Sequence, residues 1–455
     1  MELQSWGRYP RVTQQRERPV TWTTEPLPVP AGGGTLLPYG QGRSYGDSCL
    51  NAGGSLLTTA RLDRFLDFNP ATGVLRCESG VTLDAILRLV TWQGWFLPVT
   101  PGTKFVSVGG AIANDVHGKN HHQAGTFGRH VPRFELLRSD GSRRVCSLEE
   151  NRDWYEATIG GLGLTGLITW ADIQLRRMSN PYILQETLPF GSLDEFLPLA
   201  HESEADYEFT VAWVDSLEKG RRLGRGLFYR GNHAPPQFDA VPLTRSHLSR
   251  QSGLAVPFDF PGFALNRLSV AAFNWLYYHR QRGKPSEGLV HYDPFFYPLD
   301  GVHRWNRIYG RRGFLQFQCV VPASDTGMAA LREILERGAR SGMPSFLTVL
   351  KMFGDVPSPG WMSFPRRGMT LALDFANRGE RTYRLVAELD RVTREAGGRV
   401  YPAKDARMGP ESFAAYYPER ERFARYVDPA FSSSFWRRVN NLPAHLPSPA
   451  GRGTG

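Results

Sequence analysis

The stretch Asp115-Val116-His117-Gly118-Lys119-Asn120-His121-His122 gathers three imidazoles and a carboxylate within eight positions. A metal site needs imidazoles that converge on one point, and adjacent loop residues such as His121 and His122 rarely do, so no metal is expected. The chemistry that remains is proton handling. His117 either orients or deprotonates a hydroxyl, or it is a hydrogen-bonded structural histidine.

A second group of residues is suited to anions. In Gly40-Gln41-Gly42-Arg43-Ser44-Tyr45-Gly46 the glycines and Ser44 let several backbone N–H groups converge as a nest, the geometry a pyrophosphate requires. The Gly-Lys-Ser/Thr ending of a triphosphate-binding loop is absent, which disfavours nucleoside triphosphate hydrolysis. Gly161-x-Gly163-x-x-Gly166 matches the dinucleotide fingerprint, but that motif needs a strand before it and a helix after it. Here Glu149–Ala157 ahead is helix-like and Leu167–Leu175 behind is strand-like, so a Rossmann domain is rejected. These glycines, with those of Pro101–Ala111, instead permit close approach of backbone to something flat or phosphorylated.

The elements that must hold these loops are readable in outline. Thr82 caps a helix whose Leu83, Ile86, Leu87 and Val90 share a face, and Gly94 follows its end. A domain boundary falls near Met178-Ser179-Asn180-Pro181, after which strands and helices alternate. Ser192 and Glu195 form a capping box, Phe209–Val214, Phe346–Met352 and Met369–Phe375 read as strands, and 328–340 and 381–396 read as helices. This is an α+β domain with helices on one sheet face. In 263–279, Leu265, Leu268, Ala272, Trp275, Leu276 and Tyr278 fall near one helical face, with Arg280, Arg282 and Lys284 beyond. Two readings stay open: a buried amphipathic helix, or a helix lying on a membrane surface or lining an apolar tunnel.

The composition narrows the class. The chain has 455 residues, enough for two or three domains, and a net charge of +10 that favours an anionic partner. Four scattered cysteines (Cys49, Cys77, Cys146, Cys319) without a Cys-x-x-Cys pair argue against a disulfide framework and for a reducing compartment. No signal peptide and no membrane span are expected, so the location is cytoplasmic or peripheral to a membrane. Nucleic acid is not an expected partner: the basic charge permits it, but no recognition helix, RNA-binding signature or zinc finger supports it.

A resemblance is carried by long motifs. Pro38-Tyr39-Gly40-x-Gly42-Arg43-Ser44-Tyr45-Gly46-Asp47, Pro101-Gly102-Thr103, Val108-Gly109-Gly110, Gly118-Lys119-Asn120-His121-His122-x-Ala124-Gly125 and Gly163-Leu164-Thr165-Gly166 lie in the first third. Phe295–Asp300, Trp305-Asn306-Arg307, Gly313–Gln318, Lys351-x-Phe353-Gly354 and Tyr401-x-Ala403-Lys404-Asp405 follow. Together they resemble the vanillyl-alcohol-oxidase/p-cresol-methylhydroxylase class of FAD enzymes and, within it, the decaprenylphosphoryl-ribose 2′-oxidase family, over nearly the whole chain.

The resemblance implies a two-domain α+β FAD-linked oxidase fold. Residues 1–180 would bind FAD, 181–397 would form a substrate domain with an antiparallel sheet, and 398–455 would return to the FAD domain. It implies FAD contacts from Pro38, Tyr39, Gly40, Gln41, Gly42, Arg43, Ser44, Tyr45, Gly46, Asp47 and Ser48, and from Gly102, Thr103, Ser107, Val108, Gly109 and Gly110. Further contacts are Asn114, Asp115, His117, Gly118, Asn120, Gly125, Ile168 and Tyr401. Tyr297, Gln316, Gln318, Lys351 and Lys404 would face the substrate, with Lys404, His117 and Tyr45 as the catalytic group. The alternative for Lys404 is a surface lysine paired with Asp405. Relatives that tether FAD often carry His at the position of Arg43, so FAD is expected to be non-covalent. Close relatives often have Asn and Cys where this chain has Thr370 and Ala372, which leaves the details of the sugar pocket open.

The implied activity is oxidation of the 2′-hydroxyl of a polyprenyl-phosphate pentofuranose to a ketone, in arabinan precursor synthesis for a cell wall. A separate NAD-dependent short-chain reductase would complete the epimerisation. The alternatives are a soluble sugar or alditol oxidase using oxygen, and a flavin-binding scaffold without catalysis.

Overall fold

The computed structural model describes residues 3–443, apart from 13–14, 30–33, 239–253, 263 and 282–284. Phe263, Arg282, Lys284 and the Pro/Gly tail therefore lie outside the described residues.

The strands that precede residue 178 form small sheets. Ser55–Thr58 lies between Arg16–Pro19 and Leu36–Tyr39 in a parallel three-stranded sheet. A five-stranded antiparallel sheet runs in the order Phe65–Asn69, Val74–Glu78, Leu167–Gln174, Arg133–Leu137, Arg143–Ser147. Against it packs the helix Leu83–Val90, whose Thr82 cap accepts the Ala85 N–H at 3.2 Å and whose Leu83, Ile86, Leu87 and Val90 are buried as expected. Gly94 takes the left-handed conformation just beyond. Around the Gly161–Gly166 turn the order is helix Arg152–Thr158 and then strand Leu167–Gln174, the reverse of a dinucleotide fold.

From Tyr182 onward the strands join one antiparallel eight-stranded sheet. Its order is Ser286–His291, Tyr182–Phe190, Gly226–His233, Phe209–Val214, Thr348–Phe353, Gly368–Ala376, Phe314–Val321, Arg399–Val400. Strand alternation gives this sheet two unlike faces. Leu315, Phe317, Cys319, Leu350, Leu371 and Leu373 point into a core with Leu331, Ile334, Leu385 and Leu389 of the helices Asp325–Arg340 and Glu380–Glu395. The intervening residues Gln316, Gln318, Lys351, Thr370 and Ala372 line a cavity on the other face.

Three expectations need correcting. The helix Leu193–Ser203 forms, but the Ser192 side chain makes no cap bond, and Glu195 takes the Gly191 N–H at 2.9 Å. Residues 399–400 still pair with strand Phe314–Val321, so the last segment leaves the large sheet only after Val400. Beyond it the chain reaches the three-stranded sheet, where Leu36 exchanges backbone bonds with Ala430 and Ser432.

The third concerns the helix Arg267–His279. Its buried residues are Val270 and Asn274, while Leu268, Trp275 and Leu276 are 82%, 58% and 65% exposed. The buried-helix reading fails because Val270, Asn274 and the rings of Phe273 and Tyr277, not the apolar stripe, face the protein. Asn274 donates to Asp215 at 2.7 Å, and the Tyr277 and Tyr229 hydroxyls meet at 2.9 Å. Among the described residues no helix is long and apolar enough to cross a membrane.

Candidate active site

A cavity lies between the glycine loops of the first sheets and the polar face of the eight-stranded sheet. One wall is built from Pro38, Gly40–Tyr45, Pro101–Thr103, Ser107, Gly109, Gly110, Asn114, Gly163, Ile168 and Tyr401. The opposite wall carries Gln316, Gln318, Lys351, Thr370, Ala372 and Lys404. Gly40 is required here because a Cβ would run into the Ser107 hydroxyl. Ser107 in turn caps the short helix Val108–Ala113 by accepting the Gly110 N–H.

His117 stands where the walls meet. Lys351 Nζ donates to its Nδ1 at 3.3 Å and to the Gly118 carbonyl at the same distance. Gln318 Nε2 lies 3.1 Å from the ring Nε2 and donates to the Thr370 hydroxyl at 3.3 Å. Burial, then the Lys351, His121 and Lys404 charges, holds the imidazole neutral, well below its usual pKa. Burial also draws Lys351 down to about 8.

Lys404 places Nζ 3.6 Å from the centre of the Tyr45 ring, a cation–π contact made tighter by the Tyr45 N–H bond to the Ala403 carbonyl. It does not pair with Asp405. That carboxylate instead takes Arg438 at 2.9 Å and the Arg407 and Met408 N–H groups. Burial lowers the Lys404 pKa and raises that of the neighbouring Asp374, while the attraction between their charges opposes both shifts. Arg43 stacks over Trp6 at 4.3 Å and is half-enclosed near Asp300.

Several residues expected at the site stand behind its walls instead. Tyr39 donates to the Gln4 carbonyl at 2.7 Å, and Gly46 is pressed against the Asp405 carbonyl. Asp47 pairs with Arg438 at 2.6 Å, and Val108 is in the core. Asp115 accepts the Gly128 N–H and the Ser358 and Ser363 hydroxyls. Gly118 packs on Thr100, Asn120 donates to Pro98 and Glu208, and Gly125 makes a left-handed turn against Arg129. The Tyr297 hydroxyl meets Thr100 at 2.7 Å inside the core. His121 and His122 diverge, one onto Phe353 and the other to the Tyr207 carbonyl.

Sequence reasoning placed Ser48 on the cavity wall but missed Trp6, Ser79, Phe105, Asp300, His303, Arg304 and Trp305 there, and Asp374 behind it. Of these, Asp374 had a signal: it continues the alternation Thr370, Ala372, Asp374 along one strand.

Residues 31–147 match an FAD-binding domain family. Over 430 residues the chain is 37% identical to a decaprenylphosphoryl-β-D-ribose oxidase of Mycolicibacterium smegmatis, covering 90% of each protein. The chain belongs to the decaprenylphosphoryl-β-D-ribose oxidase family. It is also 35% identical over 376 residues to an uncharacterized protein of Streptomyces coelicolor, covering 79% of this chain and 100% of that protein. A shorter similarity, 31% over 110 residues, links 24% of the chain to 21% of the human Δ(24)-sterol reductase.

FAD is therefore the cofactor of this member of the oxidase family, and the fold is the two-domain α+β arrangement of FAD-linked oxidases. The residues present fit the group. Ser48 Oγ and Ser79 Oγ are buried, line the cavity and find no hydrogen-bond partner in the protein. Buried hydroxyls left in that state call for a ligand that supplies the partner. The glycine loop 40–44 and the 101–110 stretch, both within the matched domain, complete that side of the cavity.

Proposed function

We propose that this protein oxidises the 2′-hydroxyl of a polyprenyl-phosphate pentofuranose, of the decaprenylphosphoryl-ribose type, to the 2′-ketone. The observation that carries this is a buried lysine, Lys404, set on Tyr45 in the wall of the cavity that the FAD-binding loops share with the polar sheet face. Bound FAD supplies the two-electron acceptor for the reaction.

The chain's own residues do the rest. Pro38, Gly40–Tyr45, Gly102, Thr103, Ser107, Gly109, Gly110, Asn114, Ile168 and Tyr401 would hold FAD without a covalent link. Gln316, Gln318 and Lys351 hold the sugar hydroxyls. Lys404 Nζ, with its proton loosened by burial, takes the hydroxyl proton and leaves an ammonium where negative charge develops. Tyr45 keeps that amine in place. His117, whose Nδ1 is already engaged by Lys351, orients Gln318 and does not act as the base.

The domain division proposed is an FAD domain to about residue 180, a substrate domain through the eight-stranded sheet, and a closing segment back to the FAD domain. The ketone is handed to a separate NAD-dependent short-chain reductase that returns hydride to the opposite face. The exposed stripe Leu268, Trp275 and Leu276, flanked by Arg267 and Arg280, rests on an anionic bilayer that holds the lipid-linked substrate.

The test is anaerobic bleaching of the bound flavin by a panel of polyprenyl-phosphate pentoses. Bleaching by the lipid-phosphate ribose is expected. Rapid peroxide formation with free sugars or alditols, and none with the lipid-linked ones, would replace this reading with a soluble sugar oxidase.

A further inference from the structure

Behind the polar wall sits a carboxylate that the reaction as described does not use. Asp374 is fully enclosed, at 0% exposure, on strand Gly368–Ala376. It lies opposite Gln316 in the strand register, and Gln316 Nε2 donates to its Oδ1 at 2.5 Å. Tyr309 reaches Oδ2 at 3.4 Å from the helical turn Trp305–Tyr309. Gln316 also bonds the Tyr45 hydroxyl, on whose ring the Lys404 ammonium rests. Burial pushes the Asp374 pKa up to about 7, and in its ionised form the carboxylate can only accept, so it decides which end of the Gln316 amide faces it. The nitrogen turns to Asp374, and the carbonyl oxygen is left as the acceptor for a ligand hydroxyl.

We propose that Asp374 is the positioning residue of this site: it fixes the Gln316 amide and supplies the countercharge that holds the Lys404 ammonium beside Tyr45. This rests on the reading of Lys404 given above. The titratable groups facing the pair are Tyr45 from the glycine loop, Tyr309 from the helical turn, Lys351 from strand Thr348–Phe353 and His117. Asp374 is the one carboxylate among them. Its charge favours the protonated amine, whereas burial and Lys351 oppose it. Loss of the carboxylate therefore makes Lys404 give up its proton at lower pH.

The experiment compares FAD-loaded wild type, Asp374→Asn and the milder Tyr309→Phe. Lys404 is labelled with acetic anhydride across a pH series and its modification followed by peptide mass spectrometry, a readout that needs no substrate. In Asp374→Asn the labelling midpoint is expected to move acid-ward by about one pH unit or more, the scale of a nearby opposite charge. The limb of the pH profile for flavin reduction moves with it. Tyr309→Phe moves both in the same direction by less, and it carries the test if Asp374→Asn does not fold. An unmoved midpoint in the variants that fold overturns the proposal. A moved midpoint together with a normal rate in Lys404→Ala would remove Lys404 from the reaction while leaving its coupling to Asp374 in place.

Discussion

Lys404 and Tyr45 are held face to face, amine on ring at 3.6 Å, although they come from opposite ends of the chain. The contact fixes a long flexible side chain at the cavity wall, which is what a group acting on a developing charge requires. Lys404→Ala is expected to keep the fold and FAD and to lose about two or more orders of magnitude in flavin reduction, the usual scale for such a group. Lys404→Arg restores little, because guanidinium keeps the charge but does not give up its proton. A near-normal stopped-flow rate for Lys404→Ala would return His117 to consideration as the base.

Arg43 occupies the loop position at which tethered relatives carry histidine. It is not a nucleophile, and its guanidinium is stacked on Trp6 at 4.3 Å. Acid precipitation is expected to release all the yellow colour into the supernatant. Flavin retained in the pellet would show a covalent link.

What the sequence made legible was local. Thr82, the apolar spacing of Leu83, Ile86, Leu87 and Val90, and Gly94 describe one helix by rules that act within a few residues, and the structure repeats them. The glycine loops and Lys404 were also readable, through motifs, and they do share one cavity. Asp374 was not, because its place depends on Gln316, which lies 58 residues away and meets it only through strand register. Leu268, Trp275 and Leu276 were ambiguous for another reason. A helical stripe has the same spacing whether it is buried or exposed, and Asn274 with its partner Asp215 decided the matter.

Arg438 joins the flavin side to the closing segment. It contacts Asp47 at 2.6 and 3.0 Å, Asp405 at 2.9 Å, and the Met408 carbonyl. Both carboxylates are nearly enclosed, so Arg438→Met leaves two buried charges without their cation and is expected to cost about 3–5 kcal/mol in urea unfolding. Arg438→Lys recovers only part, since a single ammonium cannot match the fork that spans both acids. A loss below about 1 kcal/mol would mean that the two acids find other partners.

The exposed stripe on the helix Arg267–His279 gives a binding prediction. Changing Leu268, Trp275 and Leu276 together to Ser removes side chains that are already outside the core, so the melting temperature should hold. Co-sedimentation with anionic vesicles should fall at least about tenfold, because each side chain contributes on the order of 1.5–3 kcal/mol when fully buried in an apolar phase. Wild-type binding should weaken with salt. Equal binding to neutral vesicles would rule out electrostatic docking.

His121 gives the pH dependence. It is 1% exposed, packed on Phe353 at 4.4 Å, and neither ring nitrogen has a hydrogen-bond partner. Burial first, then the charges of Lys351, His122 and Arg129, pushes its pKa down to about 3. In the unfolded chain the same imidazole takes a proton near pH 6.5. Below that value the unfolded state binds a proton the folded state refuses, so this residue's contribution to stability is complete above pH 6.5 and is lost as the pH falls toward 3. The loss runs at about 1.4 kcal/mol per pH unit. His117 and His233 are also held neutral by burial and add slope of the same sign, so the difference between two proteins, not the slope of one, isolates His121. His121→Leu keeps a similar volume and removes two unpaired ring nitrogens. Urea unfolding between pH 7 and 5 should therefore show the variant at least as stable as wild type at pH 7. Its acid slope should be shallower by about one proton. Parallel slopes would mean that His121 protonates in the folded protein, and that its side chain reaches water or an acid when it does.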